Sequence, residues 1–257
     1  MRTSSVLFLC CILFVLVGCS QHTTPPPSSG NNAKSAPPVV DPAQAATITG
    51  VVTFSGTPPA PVKIDMGLDP ACTVASKTPN MSEQVVVNNG KLANVYVYLK
   101  SGLGEHSYPP PSEPVTIMQR GCRYIPHVAA VLTGQTVKIV NDDPAMHNIH
   151  GAPTLPGNHE WNISQMPKGD PILRTFDAPE VMIPVKCNQH PWMKMYLSIA
   201  DNPFFAVTPE DGSFTLKDLP PGDYTIAAVH EKYGEKDVQV HVGPKETKQI
   251  SFGYSAQ

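Results

Sequence analysis

The sequence predicts an all-β protein, and three observations support this prediction. The chain contains 29 prolines and 18 glycines among its 257 residues, and such a content favours turns over long helices. Its apolar residues stand mostly in short alternating runs, the pattern of strands with one buried face. No long stretch holds apolar residues at helical spacing. We therefore expect strands joined by turns throughout the folded part.

The first 18 residues have the pattern of an export signal. One positive charge precedes an apolar run over residues 6–17, which is shorter than the roughly 20 apolar residues that span a bilayer. The run Leu16-Val17-Gly18-Cys19 then resembles the lipobox of bacterial lipoproteins. The resemblance implies that residues 1–18 are removed and that lipid on Cys19 anchors the protein at the periplasmic side of a membrane, with Ser20 favouring the outer one. The alternative is an ordinary signal peptide with an incidental cysteine.

Residues 19–46 are predicted to form a disordered tether. They are rich in Pro, Ser, Asn and Thr and contain few large apolar residues, so burial cannot offset the entropy lost on ordering. The whole chain has a formal net charge of −3 and no basic run interleaved with aromatic residues. A nucleic-acid partner is therefore not expected.

Six cysteines can be sorted by position. Three lie in residues 1–19, where they leave with the signal or become the anchor. An odd number remains, and in an oxidising compartment one of these thiols is free, bridged between molecules or used as a metal ligand. Cys187 stands among ligand-type residues, so the remaining pair predicts a Cys72–Cys122 disulfide.

Strand patterns occur on both sides of the middle of the chain. Residues 47–54 and 94–99 alternate, the second run after an Asn89-Gly90 turn. Residues 206–226 carry the pattern T-x-x-D-G-x-F-x-L-x-x-L-P-P-G-x-Y. This segment resembles the carboxypeptidase regulatory-like (transthyretin-like) β-sandwich, and the I-x-G-x-V of the first run resembles the start of that family.

The central strands of that family are missing from their expected place. Between Leu99 and Phe205 stand about a hundred residues that do not match its pattern. We therefore predict one β-sandwich formed by residues 47–101 and 202–254, with a second domain at residues 112–200 inserted into it. Insertions are tolerated best at exposed loop tips. The alternative is two or three consecutive small sandwiches without an insertion.

The inserted segment carries three motifs. G-x-x-V-x-x-x-N-x-D spans residues 134–143, His147-Asn148 follows, and C-x-x-H-x-x-M spans residues 187–193 and runs into a strand. Together they resemble the cupredoxin family over residues 115–199, most closely its amicyanin and plastocyanin branch. The resemblance implies a Greek-key sandwich that holds one type-1 copper ion.

The residue types support the same site. A thiolate suits Cu(I), imidazoles suit both oxidation states, and a distant thioether completes the blue-copper arrangement. We predict the ligands His147, Cys187, His190 and Met193. Met195 is the alternative to Met193, which is preferred because it fits the family's register into the last strand.

Neighbouring residues receive supporting roles from the resemblance. Asn148 is expected to form hydrogen bonds that link the loop of His147 to the loop of Cys187. The alternative is that Asn148 is only a turn residue. Trp192 is expected to contact a partner as part of an apolar rim around a solvent-facing His190. His150 could be a fifth contact, although a packed or exposed histidine beside the site is favoured.

The sequence contains no H-x-H pair, G-x-S-x-G, H-E-x-x-H or P-loop motif. With Met193 in the axial position, no open position remains for a substrate. We therefore predict an electron carrier without its own catalytic site and with an unidentified redox partner protein. The alternatives are a copper-holding or copper-delivery protein and a non-redox, carbohydrate-binding-like interaction module.

Overall fold

The computed structural model describes residues 35–38, 40–76 and 78–256. The predicted export signal and the lipidation site Cys19 lie outside these residues, as does most of the predicted tether. No helix in the described part of the chain is long and apolar enough to cross a membrane.

The described residues form strands with a single short helix, which confirms the all-β prediction. The elements before residue 112 are β1 Ala46–Ser55, α1 Pro70–Ala75, β2 Val87–Asn88, β3 Lys91–Leu92 and β4 Tyr96–Ser101. The next are β5 Val115–Gln119, β6 Tyr124–Ile125, β7 Val128–Leu132, β8 Val137–Asn141, β9 His147–Gly151, β10 Trp161–Gln165, β11 Ile172–Arg174, β12 Glu180–Lys186 and β13 Lys194–Ala200. The last are β14 Phe205–Val207, β15 Ser213–Leu219, β16 Gly222–His230, β17 Gly234–Val242 and β18 Thr247–Ser255.

The two ends of the described chain share two sheets. One has the order β15-β1-β3-β2, with β18 parallel to β1, and the other has the order β14-β4-β16-β17. The Asn89-Gly90 turn joins β2 to β3 with both residues at positive φ, as the predicted hairpin requires. The apolar faces of these strands form a buried cluster that includes Ile48, Val97 and Phe252.

The middle of the chain builds two other sheets. Their orders are β10-β9-β12-β13-β7 and β11-β8-β5-β6. A second buried cluster, with Ile117, Ile149 and Leu197 among its members, is made from their strands. This cluster also contains Cys187 and Met193, so the predicted ligands belong to a packed core.

The chain leaves the first pair of sheets through β4 and returns to it through β14, which pairs antiparallel with β4. The prediction places an interruption of residues 47–101 and 202–254 at residues 112–200. The described residues from 35 onward nevertheless belong to one compact unit, so the division into two domains stays a prediction.

One helix was not expected from the sequence. Asp69 caps α1, its carboxylate accepting the Ala71 N–H at 2.8 Å, and Pro70 occupies the first turn. Both residues suit a helix start. Although residues 64–76 lie in the range predicted for the outer sandwich, Met66 and Cys72 pack into the cluster that contains Cys187. The helix segment therefore lies next to the predicted metal site.

Candidate metal centre

The loop 187–193 supplies three of the predicted ligands. It connects β12 to β13, which pair antiparallel with Lys186 opposite Lys194. The Cys187 N–H donates to the Met193 carbonyl at 3.1 Å, and the Met193 N–H donates to the His190 carbonyl at 2.8 Å. These bonds close the loop, so its side chains are held on a rigid hairpin.

The fourth predicted ligand, His147, is the first residue of β9. A turn before β9 is held by Asn141, whose amide donates to the carbonyls of Ala145 at 2.9 Å and Met166 at 3.0 Å. The Asn141 side-chain oxygen also accepts the Asp143 N–H at 3.0 Å. The Asn-x-Asp part of the sequence motif therefore shapes the loop that leads into His147.

The structure brings His147, Cys187 and His190 together. One ligand atom from each lies within 4.8 Å of the others. The His190 Nδ1 is 3.0 Å from the His147 Nδ1 and 3.5 Å from the Cys187 Sγ. All three residues are at least 97% buried, with exposed fractions of 0%, 2% and 3% respectively. The cluster is thus a buried Cys–His₂ donor set.

A carboxylate holds the outer nitrogen of each imidazole. The His147 Nε2 lies 2.9 Å from the Asp143 Oδ2, and the His190 Nε2 lies 3.0 Å from the Asp69 Oδ2. An ionised carboxylate only accepts hydrogen bonds, so each Nε2 carries a proton. The two Nδ1 atoms consequently face each other and the Cys187 sulfur, and outer partners usually orient metal-bound histidines in this way.

Asp143 carries its charge in the core because donors surround it. Burial raises its pKa, but hydrogen bonds from His147 and from the Cys122 and Gly121 N–H groups outweigh burial and lower it. Those two backbone bonds measure 2.8 and 2.6 Å. Burial lowers the pKa of His147, yet its bonds to Asp143 and Cys187 outweigh burial and raise it.

Several donors also converge on the thiol. Burial raises the pKa of Cys187, but hydrogen bonds from His147 and from the backbone N–H groups of Asn148, Gln189 and His190 outweigh this effect and lower the pKa to about 6. The thiolate is the form that binds metals. The pocket therefore favours the thiolate form of Cys187.

Asn148 links the two ligand loops, as expected. Its side-chain oxygen accepts the Asn188 N–H at 2.7 Å and lies 3.2 Å from the Cys187 Sγ. Its amide nitrogen donates to the Asn162 side chain at 2.7 Å. The residue therefore joins β9 to the loop 187–193 and orients the sulfur.

Other predicted residues lie close to the site. Met193 and Met195 are both fully buried, with exposed fractions of 1% and 0%, so the choice between them stays a prediction. The Trp192 ring centroid lies 5.1 Å from that of His190, and its side chain is partly exposed. His150 faces Asn188 and Glu160 instead of the three ligands.

One feature differs from the sequence expectation, and another agrees with it. His190 was expected to face solvent, and this is wrong because Asp69 and the segment around α1 cover it. The predicted pair Cys72 and Cys122 forms a disulfide that fastens this segment to the loop before β6. Cys187 is the free cysteine of the described residues.

Sequence reasoning missed the two carboxylates. Asp143 is the last residue of the N-x-D motif, and its position four residues before His147 could have indicated a role. The sequence around Asp69 gives a weaker indication of a role at the site. It precedes Pro70 at a helix start and stands three residues before Cys72, so the predicted disulfide could have brought it to the site.

The donor set fits a soft or borderline transition metal. Two imidazole nitrogens and one thiolate meet in a buried space, where a cation would offset the repulsion between their lone pairs. Sulfur and imidazole ligands of this kind suit copper, while Mg²⁺ and Ca²⁺ require oxygen. The fold and site define a β-sandwich protein with a buried Cys–His₂ donor set that could hold a metal ion.

Comparisons with known proteins agree on β-sandwich architecture. Residues 186–255 match the family described as ER membrane protein complex subunit 7, beta-sandwich domain. This match covers less than a third of the chain. No curated protein sequence matches the chain.

Solved structures with partial similarity are copper proteins. A Cu-containing nitrite reductase from Thermus scotoductus SA-01 is 22% identical with a TM-score of 0.32, over 38% of this chain and 24% of that one. A purple cupredoxin from Nitrosopumilus maritimus is 23% identical with a TM-score of 0.29, over 34% of this chain and 99% of that one. A Cu(I) amicyanin variant is 15% identical with a TM-score of 0.31, over 40% and 98%. The chain thus spans about a quarter of the nitrite reductase.

Proposed function

We propose that this protein holds one type-1 copper ion and carries electrons, without a catalytic site of its own. The observation that supports this most directly is the convergence of the His147 and His190 Nδ1 atoms with the Cys187 sulfur in a buried space. We assign Met193 as the fourth, axial ligand. Copper bound there would supply a one-electron couple between Cu(I) and Cu(II).

The residues around the ligands suit electron transfer because they limit movement. The Asn148 side-chain oxygen lies 3.2 Å from the Cys187 Sγ. Asp143 and Asp69 contact the Nε2 atoms of His147 and His190 at 2.9 and 3.0 Å. His147 lies on β9, and the other assigned ligands lie on the short loop that joins the paired strands β12 and β13. A site that cannot rearrange keeps similar geometry in both oxidation states, which favours rapid exchange of an electron.

Trp192 is the partner contact in this proposal. Its ring lies 5.1 Å from that of His190 at an interplanar angle of 49°, its indole N–H donates to the Cys122 carbonyl at 3.1 Å, and part of its surface is exposed. Aromatic residues are enriched where proteins bind each other. The partner would be a redox protein that approaches this aromatic side chain.

Copper loading followed by visible absorption and metal analysis tests the proposal. Wild-type protein should bind one copper ion and show an intense thiolate-to-copper band that disappears reversibly on reduction. Cys187→Ser should remove the band. His150→Gln changes a histidine next to the site but outside the donor set, so it should keep the band.

Other results would contradict electron transfer. A colourless protein that binds Cu(I) and releases it readily would favour copper delivery. Retention of zinc in preference to copper would indicate a structural metal. Absence of copper binding with an intact Cys187 thiol would favour an interaction module.

We also propose that the protein is exported and anchored by lipid on Cys19, facing the periplasm. This proposal is based on the lipobox-like run at Leu16–Cys19. Cys19→Ser should move the protein from the membrane fraction to the soluble periplasmic fraction. Unchanged membrane association of that variant would contradict lipid anchoring.

A further inference from the structure

The described residues of the segment 63–81 cover one side of the proposed metal centre, although the segment ends more than thirty positions before residue 115. Its ends meet through a bridge between Lys63 and Met81. The Asn80 amide donates to the Gly121 carbonyl at 2.8 Å, and the Cys72–Cys122 disulfide adds a covalent link. The segment is therefore fastened to the metal-site core at several points.

Asp69 is the residue of this segment that reaches the ligands. One carboxylate oxygen accepts the Ala71 N–H at 2.8 Å and caps α1, while the other accepts the His190 Nε2–H at 3.0 Å. The hydrogen bond from His190 is the main reason that the pKa of Asp69 lies below its usual value. A single side chain thus connects the start of the helix to an imidazole of the site.

The disulfide lies beside both carboxylate–histidine pairs. The Cys72 sulfur is within 4.8 Å of ligand-type atoms of Asp69 and His190. The Cys122 sulfur is within 4.8 Å of corresponding atoms of Asp143 and His147. The covalent bond therefore holds the Asp69 side of the site against the Asp143 side.

We propose that Asp69 is a positioning residue for the metal centre: it fixes the rotation and tautomer of His190 and shields that imidazole from solvent. This inference rests on the proposed copper site. Its physical basis is that a carboxylate accepting the outer N–H of a ligating histidine keeps the other nitrogen free for the metal and increases its basicity. A more basic imidazole favours Cu(II) over Cu(I).

The variant Asp69→Asn separates this role from a structural one. An asparagine keeps an oxygen that can accept the Ala71 N–H, so the cap on α1 is retained. Its NH₂ group cannot accept the proton of the His190 Nε2. Asp65→Asn is the matched control, because Asp65 lies in the same exposed stretch and accepts only the Gly67 N–H, at 2.8 Å, among the described contacts.

The first measurement needs no copper. In the metal-free protein, ¹H–¹⁵N NMR should detect a slowly exchanging Nε2 proton on His190, assigned by its absence from His190→Phe. In Asp69→Asn this signal should be lost, or its proton should exchange with water at least tenfold faster. In Asp65→Asn the signal should be kept. An unchanged ring proton in Asp69→Asn would overturn the proposal.

The second measurement uses the copper-loaded protein. We expect Asp69→Asn to bind copper about 10- to 100-fold more weakly, the usual loss for such outer partners. We also expect a roughly tenfold shift of the redox equilibrium toward Cu(I), which corresponds to about 59 mV for one electron. A potential and affinity equal to those of Asp65→Asn would overturn the proposal. If the wild type binds no copper, the proposed function fails, and the ring-proton result alone decides the role of Asp69.

Discussion

The Nδ1 atoms of His147 and His190 lie 3.0 Å apart, although 43 positions separate the two residues in the sequence. Each imidazole directs its Nε2 to a carboxylate, Asp143 for one and Asp69 for the other. When both rings are neutral, two lone pairs therefore face each other at hydrogen-bonding distance with no proton between them. A shared proton or a metal cation relieves this repulsion, so the arrangement favours cation binding next to the Cys187 sulfur.

Replacement of Asn148 by alanine should weaken copper binding. The Asn148 oxygen orients the Cys187 sulfur and accepts the Asn188 N–H at 2.7 Å, and loss of such outer contacts lowers metal affinity by about 10- to 100-fold. Titration against a chelator of known affinity measures the change. Asn162→Ala removes only the group that holds the Asn148 amide, so its effect should be smaller. Equal affinity of Asn148→Ala and wild type would contradict the role assigned to Asn148.

The axial ligand can be identified with a matched pair of variants. Met193 and Met195 are both buried in the same cluster, and Met→Leu changes side-chain volume little, costing less than about 1.5 kcal/mol of stability. If Met193 is axial, Met193→Leu should move the visible band and shift the redox equilibrium at least tenfold toward Cu(I), about 59 mV. Met195→Leu should change neither by a comparable amount. The opposite result would assign the axial position to Met195.

The all-β class and the grouping of His147, Cys187 and His190 could be predicted from the sequence because both depend on local patterns. Alternating runs encode strands, and the short spacing from Cys187 to Met193 places those residues on one hairpin loop. The spacing cannot encode which distant segment covers the hairpin. Asp69 reaches His190 across 121 positions, and this contact depends on tertiary packing.

The disulfide illustrates an intermediate case. Cysteine counting singled out Cys72 and Cys122, and the structure joins them. The number of cysteines does not indicate that each sulfur lies beside a carboxylate–histidine pair. The exposure of His190 was consequently predicted wrongly, since the resemblance to cupredoxins covers residues 115–199 and contains nothing equivalent to α1.

Removal of the disulfide should destabilise the metal-free protein. The two cysteines are 50 positions apart, and closure of such a loop contributes about 4 kcal/mol on the chain-entropy model. The double variant Cys72→Ala/Cys122→Ala should therefore unfold at lower urea concentration. Reduced wild type serves as the control, because it lacks the bond but keeps both side chains. A free energy of unfolding within about 1 kcal/mol of the oxidised wild type would contradict this expectation.

A buried histidine outside the metal site predicts a pH dependence of stability. His230 is 1% exposed, and its Nε2 is one of the buried side-chain atoms without a hydrogen-bond partner among the described residues. Burial lowers its pKa to about 4; the charge of Glu231 opposes this shift, and those of His127 and Lys232 add to it. In the unfolded chain the pKa of a histidine is about 6.5. Between these values the unfolded state binds more protons, so stability is complete above pH ~6.5 and falls as the pH drops toward ~4.

The variant His230→Phe removes the titrating group together with the hydrogen bond that the His230 Nδ1 accepts from the Lys232 N–H at 3.1 Å, so the two proteins are compared by the pH dependence of their stability. Phenylalanine preserves the aromatic contacts with Tyr233 and Tyr254 but cannot be protonated. The contribution of His230 is on the order of 3 kcal/mol, because each pKa unit of difference corresponds to about 1.4 kcal/mol. Urea unfolding of the metal-free protein at several pH values between 4.5 and 8 should show wild type losing more stability than the variant toward low pH. His241→Gln changes an exposed histidine and should follow the wild-type curve. If the stability of wild type and of His230→Phe changed with pH in parallel, the prediction would be wrong. His230 would then bind its proton equally well in the folded and unfolded states.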